Sequence, residues 1–84
     1  MFEIIPSDDW YKWWDKVPRE QHQRIIKKMH ELKEDKQFRH LKLGSPHFVL
    51  EAGQYRILFI EEEKKRILIF VGNHKDYEKW IGMK

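Results

Sequence analysis

The chain has no cysteine among its 84 residues, so neither disulfides nor thiolate metal sites can staple it. That absence fits a reducing compartment, and the expected location is the cytoplasm. No apolar run approaches the roughly 20 residues that cross a bilayer, so no membrane association is expected. A cleaved leader is not expected either, because residues 1–5 are apolar but too few and run directly into Asp8 and Asp9. Repeats, low-complexity segments and linkers are also missing. Residues 1–84 therefore read as a single domain, near the lower size limit for a self-sufficient core. What the chain does have is aromatic mass: four Trp, five Phe and three Tyr, each able to bury a large area.

The net charge is +3 with a pI of about 9.2, unevenly distributed. Residues 1–17 carry two Lys against four acids, whereas residues 18–84 carry fifteen Lys or Arg against ten acids. An excess of this size is compatible with a polyanionic partner and equally with a solvated surface. His22 and His30 lie eight apart with no third ligand nearby in sequence, and no metal site is expected from them.

Residues 1–5 read as a short strand ended by Pro6, with Ser7, Asp8 and Asp9 as helix N-cap candidates. Trp10, Trp13, Trp14 and Val17 follow at i, i+3, i+4, i+7, the buried stripe of a first helix. Pro18 opens a second helix expected to run to about Asp35, with Ile25, Ile26, Met29 and Leu32 facing the core. Residues 38–46 read as a connector, followed by strands at 47–52, 55–61 and 66–72 and a short helix at 77–81 anchored by Trp80. The expected fold is α+β: a helix hairpin packed on a small, mostly antiparallel four-stranded sheet, in the order β-α-α-β-β-β plus a short terminal helix.

The strand at 55–61 is largely apolar on both faces, with Arg56 as the odd member, and a charge in such a strand belongs at a rim or cleft. The next strand exits at His74 and Lys75. Adjacent strands lie about 5 Å apart, so these cations can converge on one phosphate. Were the phosphate that of an RNA strand, in-line cleavage would need a base for the 2′-hydroxyl, an acid for the leaving oxygen and cations around the phosphate. Histidine suits either proton role, and arginine suits the oxyanion role. His47 and Glu51, four apart on one strand and so on one face, are candidates for the second proton position. The bland alternatives are a structural Arg56 pairing with Glu51 or Glu61, a helix-capping His74 and a purely packing Trp80.

The element order, together with Gly53-Gln-Tyr-Arg-Ile57 and Val71-Gly-Asn-His-Lys-Asp76, resembles the RelE/ParE superfamily of small toxins from toxin–antitoxin modules. The resemblance covers nearly the whole chain, including the Val17-Pro18 break and the Leu41-Lys42 connector. It implies a ribosome-dependent mRNA endonuclease that works without metal or cofactor, with a cognate antitoxin, the ribosome and mRNA as partners. The 2′-hydroxyl would attack the adjacent phosphate. On the same fold it also allows a ParE-like inhibitor of DNA gyrase, or a degenerate member that only binds its antitoxin. By the resemblance, Arg56 is the strand arginine that stabilises phosphorane-like charge. His74 stands where some members have arginine and others a catalytic histidine. Trp80 falls near the carboxyl-terminal aromatic, and His47 replaces a lysine of the best-known members. The following cationic positions of that strand are Val49 and Glu51 here, which makes the site less basic. The expected catalytic set is thus Arg56, His74, His47 and Glu51, with Lys75, Lys42 and Trp80 binding substrate.

Overall fold

The computed structural model describes residues 1–41 and 45–82. Its elements are β1 (Glu3–Pro6), α1 (Asp8–Trp14), α2 (Arg19–Met29) running into a 3-10 turn (His30–Lys33), β2 (Arg39–His40), β3 (His47–Ala52), β4 (Tyr55–Glu62), β5 (Lys65–Gly72) and α3 (His74–Gly82). The strands form one five-stranded sheet in the order β1-β5-β4-β3-β2. Only β1 and β5 run parallel; the other pairs are antiparallel. The α+β architecture is the one the periodicities predict.

The apolar stripes fold as their spacing dictates. Trp10, Trp13 and Val17 are buried, and α1 lies mainly against β5, where Trp13 meets Phe70 edge-on with ring centroids 4.8 Å apart. The central strands β4 and β5 supply Ile57, Leu58, Phe59, Leu68, Phe70 and Val71, all fully enclosed. A bulge between Leu58 and Phe59 shifts the β4–β5 register by one residue, which turns the strands more sharply. The β3–β4 loop is two residues long. Gly53 at its first position has φ +65°, the left-handed geometry that a two-residue hairpin asks of a glycine.

Arg66 is the exception in the core, 1% exposed on β5. Its Nε donates to the Glu61 carboxylate at 2.9 Å, Nη1 to the carbonyls of Leu32 and Glu34 at 2.8 Å, and Nη2 to the Lys36 carbonyl at 2.8 Å. Phe2 covers the guanidinium 3.7 Å from its ring centroid, with Phe38 behind at 4.8 Å. One side chain thus satisfies the carbonyls that the end of the 3-10 turn would leave orphaned, and it ties residues 32–36 to the sheet.

The structure departs from expectation in four places. The second helix ends at Met29 and tightens into the 3-10 turn instead of continuing as α-helix to Asp35. Ile26, expected in the core, is 46% exposed, the inward stripe being filled by Ile25 and Leu32 with Met29 partly buried against them. Residues 39 and 40 of the supposed connector pair with Phe48 and Val49 as a fifth strand, too short for any periodicity to announce. The terminal helix begins three residues early, at His74. There the Asn73 Oδ1 accepts the Asp76 amide at 3.0 Å and the Asn73 carbonyl accepts the Tyr77 amide at 2.9 Å, a side-chain cap that starts the helix. Ser7 does stand at the N-cap of α1, but its hydroxyl makes no capping bond and is buried without a partner among the described residues.

Candidate functional site

The register of the central strands decides which side chains meet. Arg56 of β4 is paired with Glu51 of β3 on one side and with Gly72 of β5 on the other. Directly opposed residues share a face, so Arg56 and Glu51 project on the side where Gly72 leaves the backbone bare. α3 folds back over that bare backbone. A Cβ at Gly72 would lie 2.7 Å from both the Asp76 Cβ and the Phe70 ring, so a glycine at the strand exit is what lets α3 approach the sheet this closely.

An open hollow of about 610 Å³ results, lined by Glu51, Gly53, Gln54, Arg56, Asn73, His74 and Lys75. Four of the expected site residues, Arg56, His74, Lys75 and Glu51, are therefore brought together. The Arg56 side chain is 30% exposed, and its guanidinium lies over the Tyr77 ring at 4.5 Å. Its Nε is 3.8 Å from the Glu51 carboxylate, beyond strong hydrogen-bond range. His74 is largely exposed and approaches the Glu78 carboxylate at 3.2 Å, one helical turn on. Lys75 is exposed at the rim.

The remaining three candidates are placed differently. His47 is half-buried, meets the Ser45 hydroxyl at 3.2 Å and stands edge-on to Trp80 at 5.1 Å. Trp80 is 6% exposed and packs on Phe70 as well, which leaves no open face for a base to stack upon. Neither residue lines the hollow. Lys42 falls outside the described residues.

Two participants escaped the sequence reading. Tyr77 forms the surface on which Arg56 rests; its signal was available, because an Asn73 cap places residue 77 one turn after His74. Arg39 reaches the Glu51 carboxylate from the outer strand at 3.4 Å, and nothing in a two-residue strand advertised that. Among the described residues no three His, Cys, Asp or Glu side chains gather as a metal site, and no helix is long and apolar enough to cross a membrane.

No protein-family model matches the chain, and no curated protein matches it by sequence. Solved structures do match it by shape. The isolated RelE toxin of E. coli superposes with a TM-score of 0.71 at 17% identity, over 99% of this chain and 98% of that one. The antitoxin–toxin complex RelB–RelE of Methanococcus jannaschii gives 0.70 at 16% identity, over 90% and 96%. A copper-bound point mutant of a Helicobacter pylori toxin gives 0.62 at 17% identity, over 90% and 98%. The resemblance expected from the two motifs thus extends to the whole architecture, and the chain has the fold of the RelE toxins.

Proposed function

We propose that this protein is the toxin of a toxin–antitoxin module and cleaves ribosome-bound mRNA. The observation that carries the reading is the convergence of Arg56, His74, Lys75 and Glu51 on one solvent-open hollow in a chain with the RelE fold. The antitoxin partner is proposed by analogy with the RelB–RelE complex.

In this reading the 2′-oxygen of one nucleotide forms a bond to the adjacent phosphorus while the bond from phosphorus to the 5′-oxygen breaks. The products are a 2′,3′-cyclic phosphate and a 5′-hydroxyl. Glu51, the remaining titratable group of the expected catalytic set inside the hollow, takes the 2′-hydroxyl proton. Protonated His74 returns one to the departing 5′-oxygen. Each such proton role contributes about 10²- to 10⁴-fold. Arg56 stays charged throughout and meets the growing negative charge on the non-bridging oxygens, where loss of one donor costs about 10²- to 10³-fold. Tyr77 holds the guanidinium flat, and Lys75 neutralises a neighbouring backbone phosphate.

Induced expression followed by mapping of RNA 5′ ends tests the reading. Growth arrest with discrete 5′-hydroxyl ends within translated messages is the expected result. Arrest with altered DNA supercoiling and intact messages would instead assign the protein to the gyrase inhibitors.

A further inference from the structure

Glu51 belongs to two hollows at once. One holds Arg56, His74 and Lys75; the other, about 410 Å³, opens beside it at the outer edge of the sheet, with Lys28, Lys36 and Arg39 in its wall. The carboxylate forms the boundary between them, and a guanidinium stands on either side. Arg39 Nη2 is 3.4 Å and Arg56 Nε 3.8 Å from the same Oε2. The sheet dictates this. Arg56 is directly opposite Glu51, and Arg39 pairs with Val49, two residues before Glu51, which makes it the diagonal neighbour on the same face.

Both separations are longer than the roughly 2.7–2.9 Å of a strong charge-assisted hydrogen bond. The carboxylate therefore neutralises the two arginines without saturating either. Lys28 and Lys36 are engaged by Glu31 at 2.7 and 2.6 Å. Arg39, 67% exposed and held only by that long contact, is the cation of the second hollow most available to a ligand among the described residues.

We infer that the second hollow is a subsite for the flanking nucleotide of a single RNA strand. Arg39 binds its phosphate, and Glu51 is the resident counter-ion that the strand displaces. The ligand class rests on the RNA reading above; the subsite itself rests on the shared carboxylate and the two arginines. A phosphodiester presents two oxygens to the guanidinium fork, which one long carboxylate contact cannot match. Until it moves aside, Glu51 opposes the polyanion. Once displaced it lies unpaired beside the strand, as the proton acceptor must.

The test is binding of a 2′-O-methyl oligonucleotide, whose blocked 2′-oxygen cannot attack, to the full chain, measured by fluorescence anisotropy over a range of salt. Arg39→Gln is expected to weaken binding about three- to tenfold and to lower the slope of log K against log salt by about 0.7, the loss of one phosphate contact on a single strand. Glu51→Gln is expected to tighten binding about three- to tenfold, because removing a like charge a few Å from the phosphate changes the energy by that order. An unchanged slope in Arg39→Gln, weaker binding in Glu51→Gln, or no binding by the wild type would each overturn the subsite. Cleavage of unmodified RNA with no Arg39 dependence would remove the subsite and keep the nuclease. Arg39-dependent binding without cleavage would do the reverse.

Discussion

Arg56 and Arg66 stand at opposite ends of the same β-hairpin, and the fold treats them oppositely. Arg66 is sealed, and four of its donors are matched by a carboxylate and three carbonyls at 2.8–2.9 Å. Arg56 is left 30% exposed, with one carboxylate at 3.8 Å and a tyrosine ring beneath it. A buried guanidinium is tolerable only when its hydrogen bonds are complete, and a complete one has nothing left to offer a ligand. An incompletely satisfied one at a rim contributes little stability and keeps donors open to a ligand. Position along the hairpin, not residue type, separates the arginine that builds from the one proposed to act.

The sharpest way to break this contrast is to exchange the consequences. Arg66→Met is expected to lower unfolding free energy by about 3–5 kcal/mol, because the 32–36 carbonyls lose their donors in the interior, as read from urea denaturation. Arg66→Lys should recover little, since one ammonium cannot reproduce the fork. Arg56→Ala is expected to reduce RNA cleavage about 10²- to 10³-fold while changing stability by less than about 1 kcal/mol, the value of an exposed pair. A large stability loss there would make Arg56 a second structural arginine.

Gly72→Ala sharpens the comparison from the backbone side. Its methyl would collide with the Asp76 Cβ and the Phe70 ring, so α3 must shift at a cost of about 1–3 kcal/mol, and cleavage should fall because His74 and Tyr77 move with the helix. The smallest effect is expected at Glu31, whose carboxyl is held below its usual range by hydrogen bonds from Lys28 and then Lys36. Its stabilisation is complete above the ordinary carboxylate pKa and is lost as pH falls through the lowered one. Glu31→Gln should flatten that limb of the stability–pH curve only slightly, since all three groups face solvent and salt screens them.

Much of this fold is legible in the sequence. The tryptophan stripe of α1, the proline that opens α2 and the three-strand meander follow from periodicity and punctuation. Arg56 announced itself because an unpaired charge does not fit a strand that is largely apolar on both faces. Arg66 is less conspicuous, following Lys64 and Lys65 out of a charged turn, and its three carbonyl partners lie some thirty residues back in the chain, beyond any window around position 66. β2 was invisible for a related reason: two residues have no alternation to read, and their strand character comes entirely from Phe48 and Val49 across the gap. Trp80 illustrates the opposite error. An aromatic in the right place invites a stacking role, but only three-dimensional packing shows His47 and Phe70 against its ring.

The central claim is that the guanidinium of Arg56 and the imidazole of His74 act together on a phosphodiester in the open hollow. Single-turnover cleavage of ribosome-bound mRNA by the wild type, Arg56→Ala and His74→Gln, with end-group analysis of the fragments and thermal melts of each protein, tests it directly. The account predicts 2′,3′-cyclic phosphate ends from the wild type and a loss of at least about 100-fold in each variant, with melting temperatures unchanged. Undiminished cleavage in both variants, or intact message with the wild type, would contradict it.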